Sequence, residues 1–164
     1  MNIRGKWRLS LVSSRDCSRL LGELLEVRAP DMDHEQAFVS AFILKSKQTR
    51  YLVKLASPKH RHEFLSRLHH DLDYDSRFAN QIPRSEQTAA LVYATLKALG
   101  APEHCYAIAA SADLDGRLLP LREALESVLG TGDGVVLSCV PGKLAYYESE
   151  EPNGRYILLR SSAP

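Results

Sequence analysis

The chain has 164 residues, enough for one domain whose core closes without metal or disulfide staples. Hydrophobic residues make up 45% and charged residues 25%, ordinary globular proportions that exclude a disordered, collagen-like or disulfide-scaffold protein. The net charge of +1 hides an asymmetry: residues 1–82 hold 14 Lys and Arg against 10 Asp and Glu, and residues 83–164 hold 7 against 10.

The segment from Met1 to Arg8 is basic but has no apolar run behind it, so no secretory signal is expected. Trp7, Leu9 and Leu11 alternate with polar residues, the period of a half-buried strand. Leu20, Leu21, Leu24 and Leu25 recur at helical spacing, which gives a helix over 15–27 with Ser13 or Ser14 as its cap. Gly22 and Val27 leave a strand from Leu20 to Val27 as the alternative. The residues from Arg28 to Gln36, with Pro30, read as loop.

Ala37 to Leu44 is apolar on both parities, the mark of a strand covered on both faces. Lys45-Ser46-Lys47-Gln48 then reads as a turn, and Tyr51, Val53 and Leu55 share one face of a second strand, completing a hairpin. Ser57-Pro58 is a helix start, with proline in the first turn. That helix is expected to reach about Leu72 and to bury Phe64, Leu65, Leu68 and Leu72.

A further helix is expected from about Glu86 to Leu99, stopped by Gly100 and Pro102. Cys105–Ala110 is a short apolar strand. Leu121, Ala124, Leu125, Val128 and Leu129 mark a helix that opens at Pro120 and closes at Gly130. Val135–Val140, Leu144–Glu148 and Tyr156–Arg160, separated by Pro141-Gly142 and Pro152-Asn153-Gly154, form a meander. The expected fold is therefore α+β: a single domain over 1–164 with a mainly antiparallel sheet of about five to seven strands. Three or four helices would pack on it, and the one candidate sub-boundary lies near 81–85.

Several patterns bear on chemistry. His62, Ser66, His69 and Asp73 follow one another at i, i+4, i+7 and i+11, so a helix long enough would align two imidazoles and a carboxylate. The order is not HExxH and the spacing implies no fourth ligand, so a solvated polar face is the better reading. Asp71, Asp73 and Asp75 alternate as in a calcium loop, but Ser76 and Ile82 stand where such a loop needs Gly and Glu. Asp113-Leu114-Asp115-Gly116 resembles the DxDG opening of haloacid-dehalogenase-type phosphatases. That resemblance would make Asp113 the nucleophile and Asp115 the leaving-group acid, with Ser138 and Lys143 downstream. Arg117 and the absence of a following acidic pair depart from that pattern, and the 48 residues after Gly116 are few for that fold. A turn is the better reading. Gly130-Thr131-Gly132-Asp133-Gly134 ends a helix instead of opening one, so it is a connector and not a phosphate cradle.

Cys17, Cys105 and Cys139 are an odd, scattered set without a CxxC pair, which fits a reducing cytoplasm. Cys139 lies in an apolar strand and reads as structural. The strongest lead is charge. From Lys45 to His70 there are seven basic residues against Glu63 alone, a net of +6, with four of the six histidines. Lys45, Lys47 and Arg50 would sit at the hairpin tip and Lys54 on the outward parity of its second strand. Lys59, Arg61 and Arg67 would follow on the helix. Clustered cations neutralise phosphates or acidic side chains. The expectation is a cytoplasmic accessory or binding protein, without catalysis or cofactor. It would meet an anionic partner, nucleic acid or acidic protein, through Lys45, Lys47, Arg50, Lys54, Lys59 and Arg67. A small hydrolase or metal enzyme built on His62, His69 and Asp73, or on Asp113 and Asp115, is the alternative. A protein-binding subunit is another, and the unequal halves suit a head-to-tail homo-oligomer. No membrane association is expected.

Overall fold

The computed structural model describes residues 32–70, 72–151 and 154–160. The strand expected at Trp7–Leu11, the helix or strand over 15–27, Cys17 and Asp71 lie outside the described residues. The described residues open with three consecutive helices, α1 (Met32–Phe42), α2 (Lys45–Ala56) and α3 (Pro58–Leu65), the last tightening into a 3₁₀ turn at Ser66–Leu68. A 3₁₀ turn at Ser76–Phe78 leads into β1 (Ala79–Gln81). A further 3₁₀ turn at Arg84–Glu86 precedes α4 (Ala89–Ala98). There follow β2 (His104–Ala109), β3 (Leu118–Pro120), α5 (Leu121–Val128), β4 (Val135–Val140), β5 (Leu144–Glu148) and β6 (Arg155–Leu159).

The strands form one six-stranded sheet in the order β1-β6-β5-β4-β2-β3, with every neighbouring pair antiparallel. The fold class is α+β. β1 pairs with β6, so hydrogen bonds cross the sub-boundary considered near 81–85. Both edge strands have three residues, which leaves little unpaired backbone for another chain to extend.

Strand alternation distributes the side chains to two faces. Tyr106, Ile108, Val136, Ala145, Tyr147 and Leu158 point to one, where Phe38, Val39, Phe42, Tyr51, Leu55, Phe64 and Leu68 cover them from α1–α3 and the turn beyond. Cys105, Ala107, Val135, Leu137, Cys139, Tyr146 and Ile157 point to the other, under Val92 and Leu96 of α4 and Leu121, Leu125 and Val128 of α5. Each large apolar side chain so buried contributes about 1.5–3 kcal/mol against unfolding. The result is helix, sheet, helix in three layers.

The hairpin expected between Ala37 and Leu55 is corrected by the structure: both of its strands are helices. A short run that is apolar at every position fits a buried helix as well as a buried strand. In α1 the buried residues Glu35, Phe38, Val39 and Phe42 follow i, i+3, i+4 and i+7, while Ser40 is exposed. In the next segment Tyr51 and Leu55 satisfy both a period of two and a spacing of four. Val53 separates the two readings. A strand facing the core with Tyr51 and Leu55 would bury it, yet it is 62% exposed. Lys45–Gln48 is accordingly the first turn of α2, not a hairpin tip. α3 is also shorter than expected, ending at Leu65 rather than near Leu72. The described residues thus hold five α-helices, and none is long and apolar enough to cross a membrane.

Candidate anion-binding face

α2 and α3 place Arg50, Lys54, His62, Ser66, Arg67 and His70 around an open groove of about 480 Å³, with Glu63 on its wall. Arg50 and Lys54 are four residues apart on α2, and His62 and Ser66 are four apart across the end of α3, so each pair stacks on one helix face. Three of the expected basic residues, Arg50, Lys54 and Arg67, meet here. Lys45 instead lines a smaller concavity of about 280 Å³ beside Asp75, Arg77, Phe78 and Arg160. Lys47 is half-buried and Lys59 exposed, and neither lines either surface.

The cations differ in how they are matched. Lys54 Nζ is 2.7 Å from Glu63 and His60 is 3.0 Å from the same carboxylate. Hydrogen bonds from Lys54 and then His60 hold Glu63 down to about 2. His70 pairs with Glu150 at 3.0 Å. Lys45, Lys47, Arg50, Lys59 and Arg67 form no ion pair with any described residue. Lys45 and Lys47 also occupy the first turn of α2, which has no acidic residue there and no side-chain cap. Two ammonium groups at the positive end of a helix dipole oppose helix stability.

Arg61, counted with this cluster from the sequence, turns inward. Its guanidinium donates to Glu35 (Nη1–Oε2 3.0 Å, Nη2–Oε1 2.7 Å) and to Asp115 (Nε–Oδ2 2.7 Å, Nη2–Oδ1 2.9 Å). Glu35 is completely buried and also accepts the Tyr106 hydroxyl at 2.8 Å. Asp115 takes the Ala109 amide at 3.2 Å. Beside this set His34 stacks on Tyr106 at 5.3 Å and shares a 2.9 Å hydrogen bond with the buried Ser138 hydroxyl. Nothing in the basic clustering distinguishes Arg61 from its neighbours. The available signal was Glu35, an acid on the apolar stripe of α1 that requires a buried cation.

The Asp113–Gly116 segment is the turn between β2 and β3. Gly116 has φ 73° and its amide closes onto the Ala107 carbonyl at 2.9 Å. Both Asp115 oxygens are engaged, and Asp113 contributes only its backbone carbonyl, to Arg117. Asp115 therefore fastens the turn to α3 through Arg61, while Asp113 serves only within the turn.

His62, His69 and Asp73 do not converge. α3 ends before His69, so the helical spacing that would align them no longer applies. His62 faces the groove, His69 Nδ1 lies 3.4 Å from the Gly132 carbonyl, and Asp73 accepts the Tyr51 hydroxyl. Desolvation and that bond push the Tyr51 phenol up to about 12. Among the described residues no three His, Cys, Asp or Glu side chains are grouped to hold a metal.

The end of β5 holds a second buried acid, which no apolar periodicity marks. Glu148 accepts the Tyr146 hydroxyl at 2.5 Å and the Gly130 amide at 2.8 Å. It also faces Arg155, whose Nε is 3.4 Å away. Arg155 in turn binds Gln87. The glycine-rich connector is thus pinned to the sheet by a carboxylate. Cys105 and Cys139 are buried; burial pushes both thiols up, that of Cys105 to about 12.

No protein-family model, curated protein or solved structure matches this chain.

Proposed function

We propose that this chain is a non-catalytic binding protein that docks an anionic partner on the α2–α3 face. One observation carries the reading. Lys45, Lys47, Arg50, Lys59 and Arg67 are without ion pairs among the described residues, whereas Arg61, Arg77, Lys97 and Arg155 are each matched by a carboxylate. Five of the cations without an ion pair fall between Lys45 and Arg67, on α2, α3 and the 3₁₀ turn beyond, and Lys45 and Lys47 stand where a helix disfavours them. Arg117, Arg122, Lys143 and Arg160, elsewhere in the fold, are likewise without an ion pair among the described residues. An arriving anion would gain Coulomb energy and release counterions from this face.

The reading uses Lys45, Lys47, Arg50, Lys59 and Arg67 as contact cations, with Lys54 shared between Glu63 and the partner. The test is retention on heparin or on an immobilised acidic partner across a salt gradient. Retention that vanishes at moderate salt and disappears when these cations are reversed supports it. Retention that ignores salt, or none at low salt, contradicts it.

A further inference from the structure

We infer that the groove between Arg50 and Arg67 is a seat for a phosphate monoester. The inference rests on the reading of the α2–α3 face as anion-binding and names the chemistry one part of that face selects. Every residue lining the groove carries a polar or charged group, which suits a ligand that offers hydrogen-bond acceptors and charge. Three cations, Arg50, Lys54 and Arg67, stand against Glu63, a net of +2 that a dianion would balance. Glu63 is already committed to Lys54 and His60. His70 is committed to Glu150. What remains uncommitted among the described residues is two guanidiniums and the imidazole of His62.

That donor set discriminates between anions. Each guanidinium presents a planar fork that meets two oxygens at once. A carboxylate or a phosphodiester carries one negative charge on two terminal oxygens, which one arginine satisfies. A monoester carries nearly two charges on three terminal oxygens at neutral pH, enough to engage Arg50 and Arg67 together with His62 left to donate to the third. The groove is open, so the group bearing the phosphate extends into solvent. The same seat accepts the ester from a phosphorylated side chain, a nucleotide or a small phosphorylated metabolite.

The experiment titrates the full chain, at pH 7.5 and constant ionic strength, with phenyl phosphate, O-phospho-L-serine and adenosine 5′-monophosphate. Dimethyl phosphate and acetate serve as singly charged comparisons. Amide shifts in a two-dimensional NMR spectrum report the position. The three monoesters are expected to shift Arg50, His62, Ser66 and Arg67 and to bind about tenfold tighter than dimethyl phosphate, the equivalent of one charge-assisted hydrogen bond. Arg50→Gln and Arg67→Gln are each expected to remove most of that advantage while leaving the spectrum otherwise folded. Similar affinity across the three monoesters assigns recognition to the phosphate, and a preference for one identifies the source. Equal binding of monoester and diester, or shifts centred elsewhere, overturns the inference. Salt-sensitive heparin retention alongside such a failure leaves the wider anion-binding face standing. Monoester binding without heparin retention does the reverse.

Discussion

Arg61 holds Glu35 by two near-parallel hydrogen bonds of 2.7 and 3.0 Å, and the same guanidinium holds Asp115 by two more. Burial disfavours the charge on Arg61, but its bonds to Asp115 and Glu35 outweigh that and raise the guanidinium above its usual range. One side chain thereby ties α1, α3 and the β2–β3 turn together over Tyr106. Removing it strands two carboxylates. Arg61→Met is expected to cost about 3–5 kcal/mol in urea unfolding, and the double variant Glu35→Leu/Arg61→Met should recover part of that loss. A single-variant loss below about 1 kcal/mol would show that the clamp is not needed.

Gly134 lies against the chain just beyond α3. A Cβ there would come within 2.6 Å of the His69 nitrogen and 2.7 Å of the Leu68 carbonyl carbon, at φ +47°. Gly100 has φ +92° but open space around the same position. Gly100→Ala should cost about 1 kcal/mol for backbone conformation alone. Gly134→Ala should cost at least about 2 kcal/mol more, because backbone must move. Equal melting temperatures for the two variants would contradict the packing of the Leu68–His69 turn onto the entry to β4.

The helical assignment of α2 is tested by three side chains. Leu55→Ala should cost about 2–5 kcal/mol, Tyr51→Ala a comparable amount, and Val53→Glu less than about 0.5 kcal/mol. If Val53→Glu destabilised the protein as strongly as Leu55→Ala, the segment would be a strand with one buried face.

That ambiguity shows which signals the sequence carried. β4 and β5 were legible to the residue because long apolar runs end at Pro141-Gly142 and at Glu148. In α5 the core positions Leu121, Ala124, Leu125 and Val128 fit no period but the helical one. The segment 37–55 was not legible, since its apolar spacing fits two periods and only burial of Val53 decides between them. β1 and β3 were invisible for another reason. Three residues carry no periodicity, and their pairing is imposed by β6 and β2. At the candidate site the clustering of cations was legible, but the division between paired and unpaired ones was not. Lys54 and Arg61 find their acids 9, 26 and 54 residues away, separations that only the fold closes.

The placement of Lys45 and Lys47 sets stability against binding. Lys45→Glu/Lys47→Glu puts acids into the first turn of α2, where each should stabilise by about 0.3–1 kcal/mol at low salt. The same change should weaken retention of an anionic partner. A variant that melts higher and binds less supports a functional reason for the lysines. A variant that melts lower shows that they serve the fold.

The central claim is tested most directly by reversing the charge of the face while leaving its paired residues alone. Substituting Lys45, Lys47, Lys59 and Arg67 together by Glu moves residues 45–70 from +6 to −2 and spares the Lys54–Glu63 and Arg61 pairs. The measurement is affinity for heparin, or for a partner recovered on the wild-type protein, as a function of salt concentration. Circular dichroism confirms that both proteins are folded. The expected result is a steep loss of affinity with a flatter salt dependence, because fewer counterions are released, and a loss concentrated in the association rate. A folded variant with unchanged affinity and unchanged salt slope would contradict the account and leave the α2–α3 cations as solvated surface.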